Sequence, residues 1–351
     1  MPKDAFYKFN LQGVLRVTEA IPGPRSSALL AEQKRYDSNA LVYPLQVPLA
    51  ISRGLGATVE DMDGNIYIDF SGGVGVLNVG HSNPEVVAAI KKQAEKLAHG
   101  LDFSSKPRVA LSRKLVELAP GQLKGKSKVL MCGPTGADAI EAAVKLAKFN
   151  TKKPGIISFE GGWHGVSGMS LSLTAKRAAK VNYLPGVPEV YFAPYPYCYR
   201  CPFEMKHPGC GLACAHYLEH LIKDPDTGYS APGAVLVEPI QGEGGIVVPP
   251  AGYMKELRRI CDQHSLLMIA DEIQTGFCRT GRMFAIEHDN VTPDIMTVSK
   301  SMGGGLPISG IVFREELDTW SPGAHVGTFR GNALSCAAGL AGIEFMERHS
   351  L

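Results

Sequence analysis

Two apolar runs, each ending in a charged residue, constrain this chain more than any other feature. The first is Leu266-Leu267-Met268-Ile269-Ala270-Asp271. The second is Ile295-Met296-Thr297-Val298-Ser299-Lys300, with Gly303-Gly304-Gly305 close behind. A short, nearly unbroken apolar run closed by a breaker reads as a strand buried on both faces. Such strands belong to sheets covered by helices, where ligands lie beyond the carboxyl ends of the strands. The acid and the lysine are therefore expected at one edge of a sheet.

The surrounding chain repeats the theme. From about residue 127, strands and helices alternate. Strands are expected at Val129-Leu130-Met131, Ile156-Ile157-Ser158-Phe159, Ala234-Val235-Leu236-Val237, Leu267-Met268-Ile269-Ala270 and Ile295-Met296-Thr297-Val298. A helix is expected from Gly136 to about Phe149. Its apolar set Ala139, Ala142, Ala143, Leu146 and Ala147 has helical spacing, and Glu141 can pair with Lys145. Further helices fall near 214–223, 252–264 and 332–348. The pattern predicts an α/β fold with a largely parallel sheet. Earlier in the chain, residues 1 to about 54 read as irregular, with Gly23-Pro24 and Tyr43-Pro44 as breakers. A hairpin is expected over 57–69 with Asp63-Gly64 as its turn, and a helix from Pro84 to about His99-Gly100.

Composition narrows the function classes. At 351 residues the chain can form more than one domain. A net charge of +2 implies neither nucleic acid nor an anionic membrane as partner. No stretch is apolar enough to span a bilayer, and Met1–Phe6 lacks the apolar run of a signal peptide. Eight cysteines in so long a chain then point to a reducing, cytoplasmic setting.

A carboxylate and a lysine at the ends of two core strands are what pyridoxal phosphate (PLP) chemistry requires. The lysine forms a Schiff base, and the acid keeps the pyridine nitrogen protonated. Cys132-Gly133-Pro134-Thr135-Gly136-Ala137-Asp138 joins a strand to a helix, and such a helix start attracts a phosphate. Trp163 stands just past a strand end, where it could stack on a planar cofactor. Glu238 ends another strand before a Gly-rich loop, and Thr328 offers a hydroxyl before a helix.

With these motifs in order, the chain resembles the class III aminotransferases, PLP enzymes of fold type I. The resemblance rests on Asp69-Phe70-Ser71-Gly72-Gly73, Gly80-His81-Ser82-Asn83-Pro84, the 133–138 loop, Trp163-His164-Gly165 and Glu238-Pro239. It continues through the segment from Asp271 to Gly281, Lys300, and Thr328-Phe329-Arg330-Gly331-Asn332. It implies a large PLP-binding domain over 76–325 and a small domain built from 1–75 and 326–351. It makes Lys300 the Schiff-base lysine and proton carrier, and Asp271 the partner of the pyridinium nitrogen. Gln274 would contact the ring hydroxyl, with Ile273 and Trp163 on the two ring faces. Gly136 and Ala137 would hold the phosphate, and Thr135, His164 and Glu238 complete the cofactor-binding set. Thr328 would reach the phosphate of a neighbouring subunit, which implies a homodimer.

The resemblance also has departures. Ala137 and Asp138 stand where the family commonly has a hydroxyl residue and a glutamate. The Gly-Pro-Thr-Gly-Ala-Asp version is similar to that of diaminobutyrate-type members. Family members continue beyond Leu351, so the chain reads as a fragment lacking the arginine that can pair with Glu238. Cys198, Cys201, Cys210 and Cys214 are spaced as a metal site could be, although free thiols are the plainer reading. The expected reaction is ping-pong transfer of an amino group from an amino acid or ω-amine to a keto acid, 2-oxoglutarate first among them. A racemase or aminomutase on the same cofactor is the rival, and a non-catalytic PLP-fold protein is a second.

Overall fold

The computed structural model describes residues 9–351. Three strands, β1 (Ile51–Leu55), β2 (Thr58–Asp61) and β3 (Ile66–Ile68), form a small antiparallel sheet. Seven more build the large one: β4 (Ser127–Met131), β5 (Gly155–Phe159), β6 (Val190–Ala193), β7 (Pro232–Val237), β8 (Leu267–Asp271), β9 (Ile295–Val298) and β10 (Gly310–Arg314). Their order across the sheet is β4-β10-β9-β8-β7-β5-β6. Strand β10 is antiparallel to both of its neighbours, and every other pair is parallel.

The longer helices are α1 (Pro24–Tyr36), α2 (Pro84–Ala94), α3 (Lys106–Leu118), α4 (Gly136–Thr151), α5 (Ala213–Lys223), α6 (Tyr253–Gln263) and α7 (Ala333–His349). Successive side chains on a strand point to opposite faces, so each central strand feeds two cores. Along β7, Ala234 and Leu236 enter the core beneath α4, while Val235 and Val237 enter the other. Ile269 and Met268 divide in the same way, as do Ile295 and Met296. Helix α4 covers its face with small buried residues, Ala139, Ala142, Ala143 and Ala147. The opposite face carries α3, α6 and α7 through Leu111, Leu115, Leu257, Ile260, Ile343 and Met346.

The α/β architecture and the five expected strands are present. The structure adds β6, β10, α3 and α1, and it ends α2 at Ala94 rather than near His99-Gly100. Helix α1 contradicts the expectation that residues 1 to about 54 are irregular. Pro24, read as a breaker, stands at the helix start, where a missing N–H costs nothing. The cap comes from far along the chain: Asp63 accepts from the N–H groups of Arg25 and Ser26, both at 2.8 Å. The hairpin turn that carries Asp63 is as expected, with Gly64 at φ +88°. Met1 to Lys8 of the expected irregular segment lie outside the described residues. Among the described residues no helix is long and apolar enough to cross a membrane.

Candidate active site

Strands β8 and β9 lie side by side in parallel, with Asp271 in register with Thr297. That pairing brings the expected acid and the expected lysine to the same sheet edge. Asp271 is buried, and three donors hold its carboxylate. Oδ1 accepts from Thr297 Oγ1 at 3.0 Å and from the Ile273 N–H at 3.1 Å, and Oδ2 meets His164 Nδ1 at 2.7 Å. With Asp271 ionised, Nδ1 of His164 carries the proton, and both side chains are almost fully enclosed.

Lys300 opens a short 3-10 turn after β9 with φ +45°, a region that L-residues seldom enter. Its neighbours pin this backbone. Ser299 Oγ donates to the Ile308 carbonyl at 2.8 Å, and Ser301 Oγ to the Gly75 carbonyl at 2.9 Å. The Lys300 ammonium donates to Gln274 Oε1. Burial pushes the lysine below its ordinary pKa, and the charges of Asp271, Glu238 and Glu243 oppose that push. Gln274 itself is wedged between two glycines. A Cβ at Gly242 would stand 2.8 Å from Gln274 Cγ, and one at Gly75 3.0 Å from Nε2. Gly242→Ala should therefore displace Gln274 and cost about 1–3 kcal/mol, read by denaturant unfolding.

Glu238 is buried at the end of β7. Its Oε1 accepts from the Trp163 N–H at 2.8 Å and its Oε2 from the Gly242 N–H at 2.9 Å. Within this chain it thus ties the loops after β5 and β7 together. Burial pushes its carboxyl above the usual range. Trp163 is half-buried, with the Lys176 ammonium 5.4 Å from its ring centroid, and Lys176 also pairs with Glu243 at 3.0 Å.

The helix start lies on the Ile273 side of the site. A Cβ at Gly136 would come 3.0 Å from Ile273 Cδ1 and Cγ2, so only glycine fits between helix and loop. Asp138 accepts from both the N–H and the hydroxyl of Thr135, at 2.9 and 2.8 Å. The first N–H groups of α4, at Gly136 and Ala137, have no acceptor within the helix. These residues fit PLP. A helix start suits a phosphate, a firmly held carboxylate suits a pyridinium nitrogen, and a desolvated lysine suits an aldehyde.

Thr328 is exposed on a turn before α7 and takes no part in these hydrogen bonds. Its segment is held from within the chain, where Arg108 Nη1 donates to the Arg330 carbonyl at 2.7 Å. Cys198, Cys201, Cys210 and Cys214 lie apart from the site and line a cavity beyond β6. Among the described residues no group of three or more His, Cys, Asp or Glu is placed to hold a metal ion.

The reading of the sequence missed Thr297, Ser301 and Glu272. A hydroxyl inside the apolar run of β9 was the visible signal for Thr297. Glu272 is fully buried and receives the N–H groups of Ala285 at 3.0 Å and Ile286 at 2.8 Å. Burial raises it from an ordinary 4.5 to about 7. Between those values the unfolded chain ionises this group while the folded chain keeps it protonated. Its contribution to stability is then undiminished below about 4.5 and is lost as pH rises through about 7. Glu272→Gln should flatten the fall in stability over that window, whatever its constant cost. Denaturant midpoints measured across the window check this.

Comparison with known proteins points the same way. The model of the class-III aminotransferase family matches residues 42–351. A diaminobutyrate–2-oxoglutarate aminotransferase of Haemophilus influenzae is 42% identical over 327 residues, 92% of this chain and 71% of that protein. A leucine/methionine racemase of Thermococcus litoralis is 38% identical over 308 residues, covering 87% of this chain and 68% of that protein. The ornithine aminotransferase of Toxoplasma gondii, solved with partial occupancy of PLP, superposes with a TM-score of 0.80 at 33% identity. That match covers 92% of this chain and 71% of the other. With the strand-end lysine and acid standing where the family's chemistry needs them, the chain belongs to the class-III aminotransferases.

Proposed function

We propose that this chain moves an amino group from an amino acid or ω-amine to a 2-keto acid, with 2-oxoglutarate as the first acceptor. The observation that carries this reading is the junction of β8 and β9, where a triply bonded Asp271 stands beside a desolvated Lys300. PLP, when bound, supplies the electron sink that makes the substrate C–H acidic. Asp271 would hold the pyridinium proton, with His164 and Thr297 fixing its orientation. Lys300 would take the proton from the substrate carbon that bears nitrogen and return it to a neighbouring one. Its lowered pKa supports the role, because the free amine is then populated closer to neutral pH. Gln274 and Ile273 would line the ring, Trp163 would lie over its other face, and Thr135, Gly136 and Ala137 would receive the phosphate.

In this reading residues 76–325 form the cofactor-binding unit, flanked by 1–75 and 326–351, and the working form is a homodimer in the cytoplasm. The exposure of Thr328 and of the large apolar side chains Phe70, Phe103 and Phe329 supports a partner surface on that side.

The test supplies the PLP-loaded protein with a panel of amines and 2-oxoglutarate and follows glutamate. Glutamate formation that depends on both substrates supports the proposal. A second reading, a racemase, draws on the similarity to the Thermococcus protein. Loss of optical purity of an amino acid without any keto acid would establish that reading instead.

A further inference from the structure

The four cysteines of the 198–214 segment come together in the fold. Cys198 and Cys201 follow β6, Cys210 precedes α5, and Cys214 lies in its first turn; all four line one cavity closed by Tyr195 and Phe203. None is in a disulfide, and Cys198 is exposed while the other three are half-buried. After burial, the cause that most raises the Cys198 thiol is the charge of Cys210, followed by that of Cys201. Cys214, pushed up to about 11 by burial, feels Cys198 and Cys210 in turn. The four thiols are therefore neighbours. They are not arranged as a coordination site, since no described group of three or more ligating side chains is placed to hold an ion. Pairwise chemistry fits them better.

The segment's two ends are fixed. Tyr195 donates its hydroxyl to the carbonyls of Glu238 at 3.0 Å and Pro239 at 3.3 Å. Helix α5 docks through Ala215 and Leu218 into the core. Between them Pro202, Pro208, Gly209 and Gly211 keep the chain irregular. An irregular span with anchored ends and thiols facing one cavity can reach disulfide geometry with small backbone shifts.

We propose that Cys198 and Cys210 form an intramolecular disulfide when the protein meets a small-molecule disulfide oxidant. Cys198 is the exposed thiol and meets the oxidant first. Its thiolate attacks one sulfur of the oxidant, whose S–S bond breaks and releases one thiolate. The Cys210 thiolate then attacks Cys198 Sγ and expels the second. Two protein thiols lose two electrons, the oxidant gains them, and the two protons go to the released thiolates. The cross-link joins the segment after β6 to the start of α5 and is independent of the PLP reading. Because the Cys198 thiol is held above its ordinary pKa, exchange is slow near neutrality and quickens as pH rises.

The test treats the whole PLP-loaded chain with glutathione disulfide, alkylates the remaining thiols and maps the peptides by mass spectrometry. The expected product is a peptide pair joined at Cys198 and Cys210 and released by dithiothreitol. Its rate of formation should rise roughly tenfold per pH unit below the thiol pKa. Cys210→Ser should stop at glutathione on Cys198, and Cys198→Ser should give no cross-link. A Cys198–Cys201 or Cys210–Cys214 product, or wild-type protein halted at the glutathione adduct, overturns the proposal. So does a metal ion that co-purifies and shields all four thiols from alkylation.

Discussion

Lys300→Ala should lower kcat/KM for amino transfer by about 10⁴-fold or more, because it removes both the covalent anchor of the cofactor and the base. The measurement is glutamate formation from the best amine of the panel. A companion readout separates chemistry from folding. Borohydride treatment of the PLP-loaded wild type should fix the cofactor on Lys300, and the alanine variant should carry none there. Circular dichroism should be unchanged, since the strained backbone at residue 300 is held by Ser299 and Ser301 rather than by the lysine side chain. If the variant keeps its cofactor in reducible form on another lysine, the role given to Lys300 is wrong.

The second large effect is expected at Asp271→Asn, a loss of about 10³-fold in kcat. An amide cannot keep a pyridinium protonated, and it sets an N–H or a weaker acceptor against His164 Nδ1 in a site with no water to compensate. A pH readout distinguishes this from a loss of packing. The charge of Asp271 holds the Lys300 pKa up against burial, so removing it should lower that pKa further. The acid limb of PLP uptake by the cofactor-free protein should then move to lower pH in Asp271→Asn. A milder change at His164 tests the arrangement from the other side. His164→Gln keeps the Asp271 charge but loosens its orientation, so it should reduce kcat while leaving that acid limb nearly in place. An equal shift of the limb in both variants would mean that the charge of Asp271 is not what Lys300 feels.

Much of this site was legible in the sequence because its signals are local. An apolar run of strand length that stops at an acid or a lysine carries its own meaning, and β8 and β9 appear where those runs stand. The loop before α4 was equally readable, since glycines before a small-residue helix have few other uses. Less legible were elements whose reasons lie elsewhere in the chain. Strand β10 is a short run that becomes a strand because β4 and β9 satisfy it from both sides. Helix α1 has an unremarkable sequence, and its start is completed by Asp63 from the hairpin turn.

The sequence by itself determined the α/β class, the strand-end positions of Asp271, Glu238 and Lys300, and the family. Those depend on periodicity and on residue type at a chain position, which a linear string records. Only the tertiary structure decided how the site is held. It set Asp271 against both His164 and Thr297 and turned Glu238 into a tie between two loops. It also gathered the four thiols at one cavity. These are contacts between segments far apart in sequence. Register between strands, burial and the direction of a side chain fix them, and none of those is written in local pattern.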